Sequence, residues 1–177
     1  ETAPKFRLSA CDWSLRAGGP EGLAIAKAVG LNGLEISAGG PTPSGTTEVA
    51  DAALRQKYKD AKAQTGIAIS SIAMGFLNEK PLATEEKGVA WLEQTIDAAQ
   101  DLEAGVILVA FFGKGDLRDD GKLNADEVDS VVGKLKEVAP RAEKAGVIFG
   151  IENTLSAEQN LAILDRVKSN AVRIYYD

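Results

Sequence analysis

The chain has 177 residues, 45% of them hydrophobic and 26% charged, which suits one domain with a substantial core. Twenty Lys and Arg against 26 Asp and Glu give a formal charge of −6 without any basic cluster; a phosphate binder needs a positive face, so neither nucleic acid nor an anionic membrane surface fits as a partner. With no histidine present, Ser-His-Asp and Cys-His sites, and histidine metal clusters made wholly within these residues, are excluded.

In chain order, the first strand-like run is "FRLSACD", residues 6–12. Pro20 suits the first turn of a helix over "EGLAIAKAVG". The second run, "GLEIS" (33–37), is followed by residues 50–65, where Ala53, Leu54, Tyr58 and Ala61 share one helical face. "GIAISSIAMG" (66–75) is the third run. After Thr84, Val89, Leu92, Ile96 and Ala99 mark a helix whose first turn would hold Glu85 and Glu86, where the helix dipole favours acids. "GVILVAFFG" (105–113) is the fourth run. Asn124 with Glu127 reads as a capping pair opening a helix striped by Val128, Val131, Leu135, Val138 and Ala142. "GVIFGIEN" (146–153) is the fifth run, and Ser156 with Gln159 caps a helix carrying Leu161, Leu164 and Val167. "AVRIYYD" (171–177) is the sixth. Gly30, Gly66 and Gly146 each stand where a helix C-cap leads into a strand.

This is βα repeated five times and then one more strand, with no linker or composition break. The continuously apolar runs suit strands covered on both faces, and strict alternation implies a parallel sheet with right-handed crossovers. An open doubly wound sheet and a (βα)8 barrel both satisfy that pattern. The loop after the first run lacks G-x-G-x-x-G, the loops after strands are long and polar while the returns are short, and acids recur at strand ends; these favour the barrel. The expected fold is therefore a single α/β domain over 1–177 of TIM-barrel type, incomplete, with about six parallel strands and five intervening helices. A barrel of about 250 residues makes it two units short. The first and sixth strands should flank a gap, with the inner ends of Leu8, Ile36, Ile72, Val109 and Ile151 facing it.

No apolar run approaches the roughly 20 residues that span a bilayer. Cys11, the one cysteine, has no internal disulfide partner and leaves the redox compartment open. The chain begins "ETAPKF", without methionine, as it would after removal of a leader or tag. A cleaved signal peptide implies a periplasmic or secreted protein; otherwise the protein is cytoplasmic. Nothing in the sequence decides the oligomeric state, and a homo-oligomer is compatible with it.

Asp12, Glu35, Glu152 and Asp177 end strand-like runs. A buried carboxylate costs several kcal/mol unless it is paired or bound to a cation. One such acid alone more often caps a helix or meets a lysine. Glu152 in "GIEN" and Asp177 in "IYYD", however, occupy matching places on successive strands about 4.8 Å apart, so both could reach one cation. Oxygen ligands suit Mn²⁺ or Mg²⁺, and Zn²⁺ if a histidine joins them.

On "GLNGLEIS", "SSIAMGFLNEKPL", "GVILVAFFGKGDLR", "KEVAPRAEKAGVIFGIEN" and "AVRIYYD", the chain resembles the xylose isomerase-like TIM barrels, the sugar phosphate isomerase/epimerase superfamily. The resemblance runs over essentially the whole length. It implies a divalent-metal-dependent sugar or sugar phosphate isomerase or epimerase, acting on a small sugar or polyol by proton transfer next to a carbonyl. It implies Glu152 as both metal ligand and acid/base, and Asp177 as a second metal ligand. The family's His and second Glu ligands lie on strands seven and eight and have no counterpart here, so the 177 residues alone are expected to be inactive. A non-catalytic carbohydrate-binding or interaction domain on the same fold is the alternative.

Other candidates carry competing readings. Glu158 lies where some epimerases contact a sugar hydroxyl, but it also suits the first turn of a Ser156-capped helix. Trp13 would stack on a sugar face or anchor a loop. Glu35 reads as an inner-rim hydrogen-bond partner or as satisfied structural burial. Lys114 in "GKGDL" is a weak phosphate candidate without P-loop spacing. Cys11 and Met74 read as core.

Overall fold

The computed structural model of the protein describes residues 6–176. The chain runs β1 (Ser9–Cys11), α1 (Gly22–Ala28), β2 (Gly33–Ser37), α2 (Ala52–Thr65), β3 (Ala68–Ala73), α3 (Gly88–Leu102) and β4 (Val106–Phe111). A two-residue antiparallel hairpin, β5 (Arg118–Asp119) and β6 (Lys122–Leu123), then precedes α4 (Ala125–Ala145), β7 (Ile148–Asn153), α5 (Ala157–Val167) and β8 (Val172–Ile174). β1, β2, β3, β4, β7 and β8 pair in that order as one parallel sheet. β1 and β8 are its edges, and neither pairs with a further described strand.

The caps follow local chemistry. Ser156 Oγ accepts from Gln159 N–H at 3.3 Å while the Gln159 side chain accepts from Ser156 N–H at 2.9 Å, closing a capping box. Asn124 accepts from Glu127 N–H at 3.2 Å at the start of α4. Gly66 and Gly146 end α2 and α4 with φ of +73° and +69°, a conformation that favours glycine. Two expected starts are displaced. Pro20 lies before the Glu21 N-cap, where its carbonyl accepts from Leu23 N–H. Glu85 and Glu86 precede α3 and are not in its first turn, because residues 81–88 fold as successive turns. Lys134 Nζ donates to the carbonyls of Leu82, Ala83 and Glu85, which fixes that turn against α4.

The side chains decide between barrel and doubly wound sheet. One face of the sheet, with Leu34, Ile36, Ile69, Ile72, Ile107, Val109, Phe149 and Ile151, forms a single core with buried residues from all five helices. The other face carries only Ala73, Leu108 and Ala110 as a buried apolar cluster, with Phe112 and Tyr175 against it. Helices on one face alone are the arrangement of a barrel wall; a doubly wound sheet has them on both. The expected inner set is corrected here. Ile36, Ile72, Val109 and Ile151 are at most 1% exposed and face the helices, while Leu8 is 60% exposed before β1. In β3 the reason is a bulge. Leu34 pairs with Ile69 but Glu35 with Ser71, so Ser70 is an extra residue in β3. That insertion lets Ile69 and Ile72, three apart, both face outward to the helices. The inner face is left to Glu35, Ser71, Ala73, Leu108, Ala110, Gly150 and Glu152.

The orientation has a measurable consequence. Ile151→Ala should lower unfolding free energy by about 2–5 kcal/mol in urea titration, as large-to-small changes in a packed core do. Ala110→Ser, on the inner face, should cost less than about 1 kcal/mol. Equal costs would reverse the assignment of faces.

Candidate active site

The carboxyl rim is built from strand ends and the loops after them. Ala110 pairs with Glu152 and Phe111 with Asn153, so β4 and β7 end level with each other. Glu152 is half-buried on the inner face. Beyond it, Asn153 and Asn160 form a double amide pair: Asn153 Nδ2 donates to Asn160 Oδ1 at 2.8 Å, and Asn160 Nδ2 donates to Asn153 Oδ1 at 3.1 Å. Leu155 N–H also donates to Asn153 Oδ1, at 2.9 Å. The turn that carries Glu152 onto the rim is thus tied to α5. Thr154 Oγ1 donates to Asp116, linking the same turn to the loop after β4.

Two clefts open at this rim, and Glu152 lines both. One, of about 460 Å³, lies over β2, β3 and β4 and is also lined by Trp13, Ser37, Gly40, Gly75, Phe76 and Phe112. The other, of about 590 Å³, lies over β7 and β8 between Asn153, Leu155, Leu161, Ile174, Tyr175 and Tyr176. Trp13 is half-exposed and reaches the first cleft from the loop after β1. That loop is anchored by Asp12, which is buried and accepts from Ser37 N–H at 2.8 Å and Ser37 Oγ at 3.0 Å. Phe76 meets Trp91 edge-on, with ring centroids 5.3 Å apart, and Trp91 Nε1 donates to Gly45 O, holding the loops after β2 and β3 together.

Beneath the rim, Glu35 is 4% exposed. Its carboxylate accepts from Cys11 Sγ at 3.3 Å, Ser71 Oγ at 2.5 Å and Tyr175 Oη at 3.2 Å, joining β1, β2, β3 and the chain just after β8. The Tyr175 ring lies over Gly150; a Cβ there would sit 2.8 Å from Tyr175 Cδ2, so only glycine leaves room for the crossing. Burial, then the hydrogen bond to Glu35 and its negative charge, push the Cys11 thiol from its ordinary 9.0 to about 12.

The sequence candidates land differently. Glu152 and Trp13 share one cleft. Glu158 is exposed in the first turn of α5; its carboxylate accepts from Ser156 Oγ at 2.8 Å, which holds its pKa below the ordinary value, and it lines neither cleft. Lys114 pairs with Glu79 at 2.7 Å, both exposed. Asp177 lies outside the described residues. Glu152 is therefore one described carboxylate at the rim, and no group of three His, Cys, Asp or Glu that could hold a metal occurs among the described residues. The described side chains do not by themselves make a metal site. Sequence reading gave no role to Phe76, Asn78, Phe112 or the Asn153–Asn160 pair. "IEN" with Asn160 seven residues on was the available signal, and nothing marked the others.

A parallel sheet with helices on one face and a carboxylate between clefts at the carboxyl rim defines a barrel-type α/β protein of the kind that carries its site there. The chain belongs to the xylose isomerase-like TIM barrel family, whose model matches residues 23–177. It is 25% identical over 173 residues to a 2-epi-5-epi-valiolone 7-phosphate 2-epimerase of Actinoplanes sp., covering 97% of this chain and 61% of the relative. A xylose isomerase-like TIM barrel protein from Mycobacterium smegmatis, solved in complex with magnesium, superposes with a TM-score of 0.74 at 16% identity over 98% of this chain and 65% of its own. A D-psicose 3-epimerase solved in the presence of D-fructose gives a TM-score of 0.66 at 18% identity, over 96% of this chain and 62% of its own. The chain thus spans about three fifths of the length of the curated relative.

The Cys11–Glu35 contact predicts slow thiol chemistry. At pH 8, Cys11 should react with iodoacetamide at least about 100-fold more slowly than a free thiol, because the thiolate is the nucleophile. The rate should climb as pH rises toward 12. Glu35→Gln, if its circular dichroism is unchanged, should speed the reaction by removing the negative charge. Wild-type reactivity equal to that of a free thiol would contradict the geometry. The thiol pKa is raised by folding, so the stability it contributes is complete below about pH 9 and is lost as pH rises through about 12.

Proposed function

We propose that this chain carries part of the active site of a sugar isomerase or epimerase, with Glu152 as the acid/base group. The observation that carries the reading is the position of Glu152: half-buried at the carboxyl rim, in the wall of both clefts. The curated relative is an epimerase by name, and family membership supports the same class of chemistry.

Glu152 would take the proton from the carbon next to a sugar carbonyl. The C–H electron pair moves into a new C=C bond, and the carbonyl π pair moves to oxygen, giving an enediolate. Return of that proton by Glu152 to the neighbouring carbon isomerises the sugar; inversion of the same carbon would need a second acid on its opposite face, supplied by the rest of the whole protein. Asn153, held by Asn160, is a positioning residue that keeps the Glu152 turn in register.

A divalent cation, Mn²⁺ or Mg²⁺ with Zn²⁺ as the alternative, is part of the proposal, with Glu152 and Asp177 as ligands. When bound, it would supply positive charge to a developing oxyanion. Glu152 is the one carboxylate among the described residues that line the two clefts, so the proton abstraction is assigned to it.

Deuterium incorporation next to the carbonyl of a ketohexose tests this reading. In the whole protein, Glu152→Gln should lower the exchange rate by about 100-fold or more, the span of a general acid/base group. Full exchange by this variant would refute the role. The 177 residues tested alone should show no appreciable turnover.

A further inference from the structure

The side-chain amide of Asn78, on the loop after β3, is engaged at one end and open at the other. Its Oδ1 accepts from Phe112 N–H at 3.0 Å. A backbone N–H needs an acceptor, so the oxygen takes that place and the NH2 is left for other partners. Asn78 lines the first cleft beside Phe76 and Phe112, and its NH2 has no hydrogen-bond partner among the described residues.

The amide is also fixed in place. The loops after β3 and β4 lie in close contact, and glycines make that contact possible. A Cβ at Gly113 would sit 3.1 Å from Asn78 O, and one at Gly115 2.7 Å from Leu77 O. Gly113 also has φ of +58°, which favours glycine. Leu77, the neighbour of Asn78, is buried in the core. The bond from Phe112 N–H to Asn78 thus joins two loops already seated against each other, and it sets the direction of the NH2.

The chemistry of such a group decides what it recognises. An amide NH2 donates and cannot accept, so its partner must carry a lone pair. A donor positioned before the ligand arrives loses little freedom on binding, and a ligand lacking the matching acceptor leaves it unpaired. A sugar offers acceptors in its hydroxyl oxygens, and Glu152 lies in the wall of the same cleft.

We propose that Asn78 is a substrate-binding residue whose NH2 donates to one hydroxyl oxygen of the sugar in the first cleft. The proposal rests on the reading of the Glu152 rim as a sugar site and adds to that site a residue from the loop after β3.

The test is calorimetric titration of the whole protein, wild type and Asn78→Asp, with D-fructose and its monodeoxyfluoro analogues. The aspartate keeps an oxygen for Phe112 N–H and turns an oxygen, in place of the NH2, toward the ligand. Fluorine accepts weakly and cannot donate. In the wild type, fluorine at the bound position still offers the NH2 an acceptor. In the variant, a hydroxyl can turn and donate to the carboxylate, whereas fluorine meets it with no proton between them. At one position, therefore, the affinity of the fluorosugar relative to D-fructose should fall at least about tenfold from wild type to variant. At the other positions that ratio should stay the same. A purely structural Asn78 would change all the affinities alike. Should the aspartate not fold, Asn78→Ala gives the check with monodeoxy sugars: loss of one hydroxyl should cost the wild type at least about fivefold in affinity and the variant nothing. The absence of any position-specific change, or of D-fructose binding by the wild type, would overturn the proposal. A position-specific change without deuterium exchange keeps this inference and removes the Glu152 role. Exchange without a position-specific change does the reverse.

Discussion

The buried carboxylate of Glu35 is the constraint around which the inner face is arranged. A carboxylate 4% exposed is tolerable only when its lone pairs are met. Cys11, Ser71 and Tyr175 meet them from three directions. Each partner then imposes something further. Ser71 reaches Glu35 because β3 carries an extra residue at Ser70, and the same bulge turns Ile69 and Ile72 outward to the helices. Tyr175 reaches it by crossing over Gly150, a path that a side chain at that position would block. The bond ties the end of the described chain to β2, across 140 residues of sequence.

The rim inherits its form from that interior. With Leu108 and Tyr175 as the large exceptions, the inner face holds polar and small residues, and the other bulky side chains of the sheet go to the helix layer, which is one continuous core. The strand ends are thereby held level, and Glu152 comes to the rim beside Ala110. Asp12 pins the loop that brings Trp13 to the first cleft, while the Asn153–Asn160 pair pins the turn after Glu152. A weakly polar cleft beside a carboxylate suits proton transfer, since low polarity sharpens every interaction of that group with a bound carbonyl.

The alternation of apolar runs and amphipathic stretches was enough to read the parallel sheet, the helix order and the caps at Asn124 and Ser156, because each depends on residues within a few positions of one another. Helix starts at Pro20 and Glu85–Glu86 came out shifted, because turn hydrogen bonds, not dipole preference, govern there. The inward set was misread for a physical reason: in β4 and β7 both parities are largely apolar, and in β3 the bulge at Ser70 breaks the period altogether. Glu152 was legible as an acid ending a buried strand within a recognisable family motif. Phe76, Phe112 and Asn78 were not, since a cleft wall assembled from the loops after four different strands leaves no local pattern. The place of Asp177 lies outside the described residues.

The interior bond is open to direct measurement by a double-mutant cycle in urea titration. Glu35→Gln, Tyr175→Phe and the pair together should give a coupling energy of about 1–3 kcal/mol, as contacting groups in one buried network do. Additivity within about 0.3 kcal/mol would mean that Tyr175 does not reach Glu35, and the account of how the inner face is set would fail.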